Sequence, residues 1–191
     1  MTTLMRFFGA LCIALIPTFA PRLMSQQADQ TENRTSSDLA RTAMANGQAA
    51  YDRRDYETAK KALEVAATIL EKTSAASLEL ARCYISLSQA CFGLEDISGS
   101  ESWSKRALSI LSTKSPKSVE IAATFNSLGK VAQARSDLTT AEFWEKKALR
   151  ITSEGPVSLT LVSTLNNLGN ISWAKGDLLG QISGFEELYQ S

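Results

Sequence analysis

A chain of 191 residues with 44% hydrophobic content can bury one core and is too apolar to stay disordered. Its 20 Lys and Arg balance 20 Asp and Glu, so it lacks the basic surface that gains affinity for nucleic acid by releasing counterions, and no nucleic-acid partner is expected. It contains no histidine, which removes Ser-His-Asp and Cys-His catalysis, His-bearing zinc sites and a histidine pH switch from this chain alone.

Residues 1–20 read as an export signal peptide. Arg6 supplies positive charge, residues 7–16 (FFGALCIALI) form an apolar run, and Thr18-Phe19-Ala20 offers a cleavage site. The stretch from Phe7 to Ala20 is short of the roughly 20 apolar residues that a spanning helix needs. Pro21 directly after the scissile position works against cleavage, so the leader is either removed or kept as an uncleaved anchor. The expected location is exported, periplasmic or extracellular, or else tethered to a membrane through that leader. Leu11 stands before Cys12 where a lipoprotein signal needs a small residue. Residues 21–36 carry little apolar surface and are expected to be a flexible polar linker.

From residue 37 the chain divides into units 37–77, 78–118, 119–158 and 159–191, starting near Ser37, Leu78, Val119 and Leu159 at spacings of 41, 41 and 40. Each unit has a small residue ten positions after its start (Gly47, Ser88, Gly129, Gly169) and Asp at the eighteenth (Asp55, Asp96, Asp137, Asp177). A period of this size implies stacked supersecondary units. In the third unit Ile121, Phe125, Leu128 and Ala132 mark one face of a first helix, and Ala141, Trp144, Ala148 and Ile151 one face of a second. Each unit is therefore expected to be a helical hairpin. The Asp residues lie where second helices begin and are expected to cap orphaned backbone N–H groups rather than to catalyse.

Small residues are expected where the two helix axes approach within 8–10 Å: Gly47, Ala59 and Ala66; Ser88, Ser100 and Ala107; Gly129, Ala141 and Ala148. Trp103 and Trp144, at matched positions, are expected to fill the core between repeats. Cys83 and Cys91, eight residues apart on one helix, would lie ~12 Å apart, beyond the ~7 Å limit for a disulfide. They read as buried small hydrophobes.

The pairs Leu128-Gly129, Leu168-Gly169 and Asn46-Gly47, with alanines at 59, 66, 141 and 148, resemble the tetratricopeptide repeat (TPR). The longer period, with TLNNLG (164–169) and KKALRI (146–151), is similar to the kinesin-light-chain subtype, which bacteria also use upstream of caspase-like CHAT peptidase modules. The resemblance implies an all-α fold, a right-handed α-solenoid of antiparallel helix hairpins with about 3.5–4 repeats. A HEAT or armadillo array shares the period but leaves the small residue and the Asp at fixed offsets unexplained.

The resemblance also implies a non-catalytic scaffold without cofactor or metal, binding a protein or peptide segment in a concave groove lined by first helices. Its groove positions would be Arg41, Met44, Gln48 and Tyr51 in the first unit, and Arg82, Ile85, Gln89 and Phe92 in the second. Asn126, Lys130 and Gln133 would follow in the third, then Asn166, Asn167, Asn170 and Trp173. Amide side chains both donate and accept, which suits an extended peptide backbone. Met44, Gln48, Ser86, Ala123 and Ser127 stand where chaperone-binding members carry their carboxylate clamp, so that role is not expected.

Two other readings stay open: a truncated regulatory N-terminal fragment of a larger protein such as a CHAT-type peptidase, and a free-standing enzyme using Cys83 or Cys91. Neither cysteine has a suitable base in the chain. In the last unit Gly180, Gln181, Gly184 and Leu188 replace Thr140, Ala141, Trp144 and Ala148, putting two glycines in a predicted helix at ~1 kcal/mol each. That unit is expected to be degenerate, leaving a route to self-association through the C-terminal hairpin.

Overall fold

The computed structural model describes residues 34–176, and its regular structure is entirely helical. Helix α1 covers residues 34–52, followed by α2 (Tyr56–Thr73), α3 (Leu78–Gly93), α4 (Ile97–Lys114), α5 (Val119–Ala134), α6 (Leu138–Thr152) and α7 (Leu159–Ala174). The leader, residues 21–33 of the expected linker, Asp177 and the second helix of the fourth unit lie outside the described residues. Residues 34–36, expected to end the linker, instead belong to α1. Extending an existing helix needs no new nucleus, so weakly apolar residues join it at small cost. No described helix is long and apolar enough to cross a membrane.

Serine starts the first helix of each of units two to four. The hydroxyl oxygens of Ser77, Ser118 and Ser158 accept from the backbone N–H of Leu80, Ile121 and Leu161. Asp starts each second helix: Asp55, Asp96 and Asp137 accept from the N–H of Thr58, Gly99 and Thr140 at 3.1, 2.8 and 3.0 Å. These bonds satisfy donors that have no partner inside the helix. The same Asp residues also close the helix before them. Their own N–H groups donate to the carbonyls of Ala50, Cys91 and Ala132, five residues back. Such a closure requires a left-handed residue just ahead, and Arg54, Glu95 and Ser136 supply it with φ of 63°, 61° and 61°.

Consecutive helices pack antiparallel in series, and the first helices also touch one another, α3 on α5 and α5 on α7. The second helices α2, α4 and α6 stand further apart, α2 and α4 being bridged by the long side chains of Glu71 and Arg106 at 2.8 Å. The stack is therefore an α-solenoid drawn tighter along the first-helix side, which becomes its inner wall.

At the crossing within each of the three described hairpins the small residue faces the residue eight positions after the capping Asp. A Cβ on Gly47 would lie 2.6 Å from Leu63 Cγ and 3.3 Å from the Ala59 carbonyl oxygen. Ser88 bonds to Ser104 at 2.7 Å and to Ser100 at 3.1 Å. A Cβ on Gly129 would strike the Glu145 carboxyl group. Close approach at the small residues is thus as expected, and in the two glycine hairpins the space is filled by a large side chain from the partner helix. Trp103 and Trp144 pack partly buried against the core, Trp103 tilted against Tyr84 and Trp144 stacked on Phe125. Cys83 and Cys91 are buried and unbridged.

Gly47→Ala gains helix propensity of ~1 kcal/mol but overpacks against Leu63, a cost of roughly 1–3 kcal/mol. Urea unfolding should therefore show Gly47→Ala to be destabilising in the wild type and stabilising in a Leu63→Ala background. Stabilisation in both backgrounds would rule out the crossing contact as the constraint.

Candidate partner-binding groove

The inner wall contains a hollow of about 220 Å³ to which all four first helices contribute. Tyr51 comes from α1, Ser88, Gln89 and Phe92 from α3, Ala123, Asn126, Ser127 and Lys130 from α5, and Leu159, Thr160 and Ser163 from α7; Ser100 of α4 completes the lining. Of the positions named from sequence, Tyr51, Gln89, Phe92, Asn126 and Lys130 meet here. Lys130 is the one charged side chain among the described lining residues. Burial, with Tyr56 and Asp52 nearby, pushes the Tyr51 hydroxyl above its usual range, so it remains a donor at neutral pH.

The other expected positions lie elsewhere or are engaged in the fold. Arg41 pairs with Glu79 at 3.8 Å, and Arg82 donates to Glu120 at 2.6 and 3.0 Å, each linking one first helix to the next. The Arg82 bond is the main reason the Glu120 carboxyl is held below its usual range. Gln48 donates to Asp52 within α1. Met44 packs on the core and Ile85 is buried in it. Gln133 is half-buried outside the hollow, and Asn166, Asn170 and Trp173, the last 72% exposed, lie on the α7 surface.

Two of the expected groove amides are buried. Asn126 is 5% exposed; its amide donates to the Thr160 carbonyl at 3.4 Å and its carbonyl accepts from the Thr164 hydroxyl at 3.0 Å. Asn167 is 8% exposed and donates to Glu145 Oε1 at 2.8 Å. Each ties α7 to the third repeat. Sequence reading missed the hydroxyl lining from Ser88, Thr160 and Ser163, whose neighbours on the same helices it did place on the wall.

It also missed Glu145, which is fully buried. Its Oε2 has no hydrogen-bond partner among the described residues. Burial pushes its carboxyl up to about 8, against the opposing effects of the Asn167 bond and the Lys130 charge. It does not line the hollow and serves packing. Burial likewise pushes the Cys83 thiol up to about 12 and raises that of Cys91, which disfavours a nucleophilic thiolate. The described residues include no cluster of His, Cys, Asp or Glu suited to a metal ion.

Stacked helical hairpins with first helices lining a concave wall define a TPR-type solenoid. Solved structures share this fold. BtubC (BKLC) from P. vanneervenii matches 80% of this chain with a TM-score of 0.69 and 19% identity. The nearly identical TPR-like repeats of a Podosopora anserina protein described as a kinesin light chain match 81% of it with a TM-score of 0.61 and 16% identity. The match spans 62% of the BtubC chain and 72% of the Podosopora anserina chain. No protein-family model matches the chain, and no curated protein matches its sequence.

Glu145 makes stability depend on pH with a defined sign. Below its ordinary value of 4.5 the group is protonated in both states. Between there and about 8 the folded chain keeps a proton that the unfolded chain releases, so stability falls as pH rises and the loss is complete above about 8. Glu145→Gln keeps the acceptor for Asn167 without the charge. It should melt close to wild type at pH 5 and be more stable by on the order of 4 kcal/mol at pH 8. Parallel stability curves across this range would refute the assignment.

Proposed function

We propose that the protein is a non-catalytic interaction scaffold that holds an extended peptide segment of a partner protein against the inner wall. The observation carrying this reading is the hollow that gathers side chains from four successive first helices. Gln89 supplies an amide, Ser127 and Tyr51 hydroxyls, Lys130 a cation and Phe92 an apolar face. A peptide backbone presents donors and acceptors alternately, and mixed amide and hydroxyl groups can meet both kinds. The solved structures with this fold support a scaffold role in general terms.

Peptides selected on the immobilised full chain should lose about tenfold in affinity on Gln89→Ala combined with Lys130→Ala, with helical circular dichroism unchanged. Undiminished binding by that folded double variant would remove the groove assignment. The leader-like residues 1–20 support placing the scaffold outside the cytoplasm. Fusion of the full chain to alkaline phosphatase, which is active only after export, should then give active enzyme, and an inactive fusion of normal abundance would place it inside.

A further inference from the structure

The second and third repeats carry the same aromatic and cationic stack outside the groove but complete it differently. In the second repeat Trp103 lies against Tyr84 with ring centroids 5.3 Å apart, and the Arg106 guanidinium sits 4.3 Å from the Tyr84 centroid and 4.8 Å from that of Trp103. Glu71, at the end of α2 in the preceding repeat, closes the group. Its Oε1 accepts from Arg106 at 2.8 Å and from the Tyr84 hydroxyl at 2.9 Å.

Forty-one positions on, Phe125, Trp144 and Lys147 take the three places. Phe125 stacks on Trp144 at 5.5 Å, and the Lys147 ammonium lies 4.9 Å from the Trp144 centroid and 4.4 Å from that of Phe143. The place of Glu71 falls to Ser112, whose hydroxyl donates to the Ser109 carbonyl of its own helix. Beside this stack is a hollow of about 430 Å³ lined by Phe125, Ile151 and Pro116 together with Lys117, Lys147, Arg150 and a single acid, Glu154. Among the described residues none of its three cations forms an ion pair.

We propose that this hollow binds an acidic peptide segment of a partner protein, whose carboxylate takes beside Lys147 the place that Glu71 holds beside Arg106. Three unpaired cations against one carboxylate favour an anionic guest, and an ammonium held over aromatic rings keeps N–H donors free for it. The apolar surface of Phe125, Ile151 and Pro116 favours an apolar side chain next to that carboxylate over a bare inorganic anion. Phe125 lacks the hydroxyl by which Tyr84 holds Glu71, and Lys117 and Arg150 supply further donors. The site shares no lining residue with the groove, so it is independent of that reading.

The test titrates the full chain with the peptide Ac-Gly-Leu-Glu-Leu-Gly-NH2 and its Gln counterpart by calorimetry. The Glu peptide should bind at one site, and replacing its carboxylate, or Lys147→Gln in the protein, should weaken binding about tenfold. Ser112→Glu supplies the missing carboxylate from within. It should raise the melting temperature and abolish binding. Equal binding of the two peptides, undiminished binding by folded Ser112→Glu, or no binding up to about 5 mM peptide would overturn the proposal. So would a concentration-dependent dimer lost in Ser112→Glu, which would seat a second copy there, or anionic vesicles binding through Lys147 where the peptide does not.

Discussion

The close crossing of the two helices within each hairpin is the constraint on which the architecture rests. One helix must give up its side chain there so that the other can fill the space, and three repeats do this with three chemistries. Leu63 over Gly47 is an apolar solution, and Ser104 with Ser88 pairs two buried hydroxyls that satisfy each other. Glu145 over Gly129 is an ionisable one, tolerated at neutral pH because burial keeps the carboxyl largely protonated. Once the crossing is closed, the hairpin can act as a rigid unit, and the first helices keep a face free for the inner wall.

Successive hairpins are held by polar links that recur one repeat apart. Arg41–Glu79 and Arg82–Glu120 join first helices, while Glu101–Arg135 and Glu142–Lys175 tie second helices to the next hairpin. Each is at least partly exposed and individually weak; their recurrence fixes register more than it adds stability. Asn126 and Asn167 extend the series into buried positions at the α7 interface. In a solenoid the interfaces between neighbours carry much of the stability, so polar groups on the first helices are divided between holding the next repeat and facing a partner. The wall open to a ligand is therefore narrower than its amide content implies.

Sequence made the local features legible. The period, the hairpins and the Asp caps each depend on residues within one turn or one repeat of each other, and Asp55, Asp96 and Asp137 cap as expected. The left-handed turns were not legible, because Arg54, Glu95 and Ser136 replace the glycine that would have marked them. Groove positions were read in part, since a helical face is periodic but its burial is not. Asn126 and Asn167 carry the same side chain as exposed Asn166 and Asn170, and only Thr164 and Glu145 from other helices separate the two pairs. Glu145 itself lies in a polar stretch, and its burial follows from Gly129 across the hairpin, a pairing that needs both helices in place.

The turn inside each hairpin is three residues long in all three described cases, and its last residue ends one helix and begins the next. An insertion or deletion there would break the closing bond and the cap together and rotate the second helix off its crossing. The connections between repeats bear no such double requirement: residues 74–77 and 115–118 are followed in the series by the longer 153–158, offset by an α6 of 15 residues where α2 and α4 have 18. Length variation in this lineage can therefore accumulate at the joints between hairpins, which makes those joints the natural points for lengthening, splicing or grafting the array.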